Sequence, residues 1–159
     1  MKNIINVTTI LSWINLVVGG LFVLLGVLVG LASGNLLNSL VLILLPGAIV
    51  LHSYAALQLR KSIVRPDIPL DNQTPIGIRF MGYIVLFFAL FNIIYGISAL
   101  GNIPELAKQV KLPPEAAKLN VVRLLRFAFV FSLFFSASIA ANAVINLRLL
   151  KWYIMETKE

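Results

Sequence analysis

The sequence predicts an all-α integral membrane protein, a four-helix up-down bundle with a single domain at residues 1–159. Of its residues, 60% are hydrophobic and 12% are charged, whereas soluble globular domains average roughly 25% charged residues. No Asp, Glu, Lys or Arg occurs at positions 3–59, 80–104 or 127–147. About 20 uncharged, mostly apolar residues suffice for a helix to cross roughly 30 Å of hydrocarbon, so these runs predict membrane-spanning helices.

The three uncharged runs accommodate four spans. The first run is long enough for two crossings, and the polar segment Gly34-Asn35-Leu36-Leu37-Asn38-Ser39 divides it. Each of the other two runs provides one crossing. The predicted spans lie near residues 9–33, 38–60, 76–100 and 122–149.

The loops that connect the spans contain helix-breaking and helix-starting residues. The segment "SIVRPDIPLDNQTPIG" contains three prolines, at positions 66, 69 and 75, so it cannot be a regular helix. Thr74 followed by Pro75 predicts the N-cap and first turn of span three. On the other side, "IPELAKQVKL" predicts a short amphipathic helix before span four, with Leu106 and Val110 on one face. The residues "EAAKLNVVRLLRF" predict a continuous helical lead into that span.

The cations predict the orientation. The formal charge is +7, but its sources are spread over loops and helix ends, so nucleic acid is not an expected partner. Lys and Arg in short loops favour the cytoplasm. We therefore expect both termini in the cytoplasm, at the inner membrane if the protein is bacterial. Four spans place eight cations on that side, against five on the other: Lys2, Arg60, Lys61, Arg65, Arg79, Arg148, Lys151 and Lys158, against Lys108, Lys111, Lys118, Arg123 and Arg126.

Small residues follow one face of each span. Two overlapping GxxxG steps run through Gly26, Gly30 and Gly34, and such steps allow neighbouring helices to approach closely. We expect these faces to pack against other helices and to mediate assembly. The predicted packing residues are Gly19, Gly26, Gly30 and Gly34 in span one, Ala48 and Ala55 in span two, Gly82, Ala89 and Gly96 in span three, and Ser132, Ser136 and Ala140 in span four.

Four polar residues are candidates for one layer inside the membrane: Asn15, His52, Tyr83 and Asn142. His52 is the only histidine, and histidine changes charge near an ordinary pKa of about 6.5. The layer therefore has two interpretations. It could line a small cavity or proton-sensitive gate, or it could join helices through hydrogen bonds worth roughly 0.6 to 2 kcal/mol each.

Catalytic chemistry is not expected. The spans contain no carboxylate to orient His52 as a base for a serine nucleophile. The chain contains no cysteine and lacks the clustered histidines and carboxylates of metal sites. We therefore predict no catalytic, cofactor-binding or metal-binding residues, and no bound cofactor.

Three functional hypotheses follow from these features. The leading one is a non-catalytic interaction, accessory or structural subunit that assembles through the small-residue faces, with membrane lipids and either a second copy or another membrane protein as partners. The alternative is a small oligomeric pore or carrier for a neutral or weakly polar solute, with the polar layer around His52. A further alternative is a lipid-binding membrane protein with a lateral groove between spans.

Overall fold

The structure is a computed structural model that describes residues 2–34, 36–110 and 119–157. This part of the chain is all-helical, with the five helices given at the end of this paragraph. Four of them are long and apolar enough to cross a membrane, which confirms the predicted number of candidate spans. The helices are α1 (Lys2–Ser33), α2 (Leu36–Val64), α3 (Gln73–Gly101), α4 (Ile103–Gln109) and α5 (Val121–Glu156).

The end of α1 agrees with the predicted limit at residue 33, but two details near the helix ends differ from the sequence prediction. Gly34 adopts a φ of +63°, and its N–H donates to the Gly30 carbonyl at 3.1 Å. Glycine tolerates this left-handed conformation, which ends α1. Gly34 is exposed, so it does not pack against another helix within the chain, and its role in assembly stays a prediction. The second difference is at α3, which begins at Gln73 after Asn72; the N-cap prediction for Thr74 was therefore wrong.

The region before α5 contains the predicted short helix. Ile103 of α4 is buried, and Lys108 pairs with Glu105 at 2.8 Å on the exposed side. Val110 lies beyond the helix in extended conformation, so it does not share a helical face with Leu106. Helix α5 begins only after Asn120, whose side chain accepts a hydrogen bond from the Arg123 N–H at 3.0 Å. The predicted continuous lead is thus interrupted before α5, and its residues 115–118 lie outside the described residues.

The four long helices pack as two pairs. Helix α1 packs chiefly against α2, which we call the first pair, and α3 packs chiefly against α5, which we call the second pair. The pairs meet where α2 contacts α3 and where α1 contacts α5. Helix α4 packs on the second pair. How closely the two pairs approach each other therefore determines which side chains are buried between them.

Two stretches of the bundle differ in how the pairs meet. We call residues 8–15, 48–62, 78–89 and 136–150 the closed half. Its core contains side chains from both pairs, in two clusters: Ala48, Ile49, Val85, Ala89, Ile139 and Ala143, and Leu59, Ile78, Leu149 and Leu150.

We call residues 16–34, 40–47, 90–101 and 121–135 the open half. The residues buried in its described part are Gly19, Gly26, Gly30, Gly96 and Ala99. None of them has a side chain larger than a methyl group. Large side chains in the open half therefore lie on its surface or line spaces between the helices.

Candidate functional site

Buried polar side chains join α1 to α5 in the closed half. The Ser12 hydroxyl donates to Asn142 Oδ1 at 3.0 Å, and the Ser138 hydroxyl donates to Asn15 Oδ1 at 3.0 Å. Ser12 and Asn15 are one helical turn apart on α1, as Ser138 and Asn142 are on α5, so each helix presents both groups on one face. These two hydrogen bonds connect the first pair to the second.

Asn146 extends this arrangement along α5. Its Nδ2 donates to the backbone oxygen of Asn142 at 2.7 Å and to Asn142 Oδ1 at 2.8 Å. The carboxamide oxygen of Asn142 thus accepts from two helices, while Asn142 Nδ2 has no partner among the described residues. We call this cluster the polar joint: Ser12, Asn15, Ser138, Asn142 and Asn146.

His52 lies in the same half but outside the polar joint. Its side chain is 2% exposed and packs against Gly82 of α3, where an added Cβ would lie 3.2 Å from His52 Cε1. Neither ring nitrogen makes a hydrogen bond of normal geometry to a described residue, and the same is true of the Ser53 hydroxyl; the ring does approach the backbone of Ile78 in α3. His52 therefore joins α2 to α3 mainly by packing.

Tyr83 does not belong to a buried layer. Its side chain is 64% exposed, whereas Asn15, His52 and Asn142 are each 2% exposed or less. Successive helical residues are about 100° apart, so Tyr83 points away from the face that carries Gly82. The predicted four-residue layer was therefore wrong at Tyr83, and the other three residues form two separate contacts.

The glycine faces are occupied within the chain. An added Cβ would lie 3.2 Å from Val50 Cγ2 at Gly19 and 3.1 Å from Ile43 Cγ1 at Gly26. At Gly96 it would lie 2.9 Å from Leu133 Cδ2. These glycines therefore bring α1 close to α2 and α3 close to α5, and do not present a free surface for assembly.

The other predicted packing residues differ in burial. Gly30, Ala48, Gly82, Ala89 and Ser136 are buried, whereas Ala55, Ser132 and Ala140 are half-buried. The predicted polar layer did not include Ser12, Ser138 or Asn146, which the structure brings into the polar joint. Because Asn142 and Asn146 are four residues apart, helical spacing already places both amides on one face.

The open half contains a cavity between the two pairs. Its volume is about 460 Å³, and we call it the inter-pair cavity. The first pair contributes Phe22, Leu45, Pro46 and Ile49; the second contributes Asn92, Phe127, Ala128, Phe131, Ser132, Phe135, Ser136 and Ile139.

Pro46 lies inside α2 beside this cavity. A proline inside a helix has no N–H for the carbonyl four residues earlier, here that of Leu42. The Pro46 carbonyl oxygen lies 3.5 Å from the Cβ position of Gly19, and Leu42 contacts the position of Gly26. This part of α2 therefore lies close to α1.

A second concave surface lies between α2 and α3. This α2–α3 groove has a volume of about 650 Å³. Its lining is almost entirely apolar and includes an unfilled position at Gly47, since nothing lies within 4 Å of a Cβ added there. The lining residues are Ile43, Leu44, Leu45, Gly47, Ala48, Leu51, Phe80, Met81, Ile84 and Phe88.

Among the described residues, polar side chains meet in the polar joint between α1 and α5, and mostly apolar side chains line the inter-pair cavity and the α2–α3 groove. The described carboxylates Asp67, Asp71, Glu105 and Glu156 are all exposed, and no group of three potential metal ligands occurs among the described residues. The arrangement is suited to binding and packing. No family model, curated protein or solved structure matches the chain.

Proposed function

We propose that the protein is a non-catalytic interaction, accessory or structural subunit of a membrane, and that it assembles through the α2–α3 groove. The observation that supports this most is the groove itself, an apolar concavity of about 650 Å³ on the outer surface of two candidate spans. The glycines that were expected to mediate assembly pack against other helices of the same chain. We therefore place the proposed assembly surface on α2 and α3.

A ridge of aromatic side chains stands beside the groove. Phe80, Phe87 and Phe91 of α3 are 61%, 66% and 62% exposed, and their spacing places them on one helical face. Phe80 also lines the groove, so ridge and groove are continuous. Aromatic side chains are enriched at protein interfaces because they supply large contact areas.

The juxtaposition of ridge and groove favours a second copy of this chain as the partner. In a twofold-symmetric dimer the same surface patch is used by both subunits. The ridge of one subunit would then fill the groove of the other, and the reverse contact would form by symmetry. Close packing of side chains in this way drives helix association in membranes, where the hydrophobic effect does not.

The topology is part of the proposal. We propose an up-down arrangement with both termini in the cytoplasm, at the inner membrane if the protein is bacterial. The eight-to-five distribution of cations supports this orientation. The short connections between α1 and α2 and between α2 and α3 support alternating directions, because consecutive helices joined by short loops are usually antiparallel neighbours.

Filling the groove tests the assembly. Gly47→Leu adds a side chain where nothing lies within 4 Å in the chain, and Gly20→Leu does the same on α1, away from the groove. Single-molecule photobleaching of labelled protein in membranes counts the subunits. We expect dimers for the parent and for Gly20→Leu, and at least a tenfold weaker association for Gly47→Leu. A monomeric parent, a parent paired only with another protein, or an unaffected Gly47→Leu dimer would each contradict the proposal.

The pore or carrier alternative has narrower support. Asn92, Ser132 and Ser136 give the inter-pair cavity a polar component. However, Ile49 and Ile139, which also line the cavity, belong to the buried core of the closed half. A path across the bundle would require this core and the polar joint to separate, so we keep the interaction subunit as the proposed function.

A further inference from the structure

We propose that the inter-pair cavity binds a neutral membrane lipid whose carbonyl or hydroxyl group reaches Asn92 while its apolar body lies against the phenylalanines. This site differs from the proposed assembly groove, because it is formed mainly by α5 and shares only Leu45 with the lining of the groove. The inference does not depend on dimer formation.

The lining determines the class of ligand. None of the lining residues is charged, so the cavity offers no counter-ion to an anionic or cationic group. Phe22, Phe131 and Phe135 provide an aromatic wall, with ring centroids 6.1 Å apart for Phe22 and Phe135 and 6.2 Å apart for Phe131 and Phe135. Such a wall suits an acyl or isoprenoid chain, or a flat ring.

Asn92 supplies the polar contact. It is half-buried in α3 and makes no side-chain hydrogen bond to a described residue. Ser132 and Ser136, one turn apart on α5, line the same cavity. A polar group in hydrocarbon without a partner is costly, and a carbonyl or hydroxyl oxygen on the ligand would accept from the Asn92 amide.

The size of the cavity excludes a transmembrane helix as the occupant. A helix about 10 Å across fills roughly 400 Å³ per turn of about 5.4 Å, so about 460 Å³ corresponds to a single turn. Small-molecule sites commonly measure roughly 300 to 1,000 Å³. The cavity therefore fits one lipid chain or ring, and it opens in the half of the bundle where the pairs are least tightly packed.

Two sources share this ligand chemistry, a lipid quinone and an acylglycerol. The test uses the full chain in nanodiscs with two probes, decylbenzoquinone and a fluorescent diacylglycerol, each titrated to give a dissociation constant. Asn92→Leu removes the amide and Ala128→Phe places a ring in the cavity lining. The matched control Leu90→Phe adds the same ring on the outer surface of α3, at a position that is 50% exposed.

We expect one of the two probes to bind, with the same dissociation constant for the parent and for Leu90→Phe. Asn92→Leu should weaken binding about tenfold, and Ala128→Phe should abolish it. The preferred probe distinguishes the two lipid sources. Equal binding by all variants, or no binding of either probe to the parent, would overturn the proposal. Thermal unfolding of each variant checks that it is folded, and a Gly47→Leu protein that still binds would separate this site from the assembly groove.

Discussion

The two halves of this bundle hold similar apolar sequences together in different ways. In the closed half, side chains such as Leu59, Ile78 and Leu150 are at most 1% exposed, and the polar joint connects the two pairs. In the open half, the contacts within each pair are made at glycines such as Gly26 and Gly96, and space remains between the pairs. Tight packing inside each pair therefore does not require tight packing between them.

The largest expected difference between the halves concerns added volume. Gly82→Leu introduces a side chain where His52 and Leu147 already lie within 3.2 and 3.4 Å of the Cβ position. Overpacking of this kind costs about 3 kcal/mol. At Gly96 the close atoms are Leu133 Cδ2 and Cγ, at 2.9 and 3.1 Å. Because Leu133 is half-buried whereas His52 is buried, we expect Leu133 to move more easily, so Gly96→Leu should cost about 1 kcal/mol.

Unfolding in bicelles by SDS titration measures both free energies. Gly77→Leu is the control within α3, because nothing lies within 4 Å of a Cβ there, and leucine is the better helix former. If Gly96→Leu proved as costly as Gly82→Leu, the open half would be packed as rigidly as the closed half.

The second largest difference is expected when an asparagine side chain is removed from each half, measured as the change in the free energy of unfolding. Asn142→Leu removes the side-chain acceptor of the Ser12 and Asn146 hydrogen bonds. It leaves the Ser12 hydroxyl buried without that acceptor, while Asn146 keeps its bond to the backbone oxygen of residue 142, so we expect a cost of about 2 kcal/mol. Asn92→Leu in the open half removes no hydrogen bond to a described residue and should change the free energy of unfolding by less than about 0.5 kcal/mol.

A double-mutant cycle with Ser12→Ala isolates the contact between α1 and α5. We expect a coupling energy between about 0.6 kcal/mol, the typical value for hydrogen bonds between membrane helices, and about 1.7 kcal/mol, the upper value. Additive effects of Asn142→Leu and Ser12→Ala would show that the hydrogen bond does not hold the two pairs together.

The effect expected at His52 has the opposite sign. The imidazole is nearly inaccessible and makes no hydrogen bond of normal geometry, only an approach to the Ile78 backbone, and replacement of a poorly satisfied polar group by an apolar one of similar shape is neutral or stabilising. His52→Leu should therefore raise the free energy of unfolding by up to about 1 kcal/mol, whereas His52→Ala should lower it by leaving a void. A destabilised His52→Leu variant would mean that the imidazole makes a hydrogen bond after all.

The gross architecture was readable from the sequence because it depends on local composition. Each predicted span lies within one long helix, and Gly19, Gly26, Gly82 and Gly96 face other helices as their spacing indicated. Helical periodicity gives the face of a residue. It does not distinguish an inward face from an outward one when both are apolar, and for this reason Tyr83 was misplaced.

The sequence by itself determined four apolar helices, their approximate limits, and which side chains share a face, because these follow from the length of uncharged runs and a fixed angle per residue. Only the tertiary structure decided that Asn142 meets Ser12, that His52 meets Gly82, and that the two pairs leave a cavity beside Pro46. These features depend on side chains far apart in the chain and on the relative placement of whole helices. In an apolar medium, where burial of apolar surface has little preference among partners, packing shape and a few hydrogen bonds make that choice.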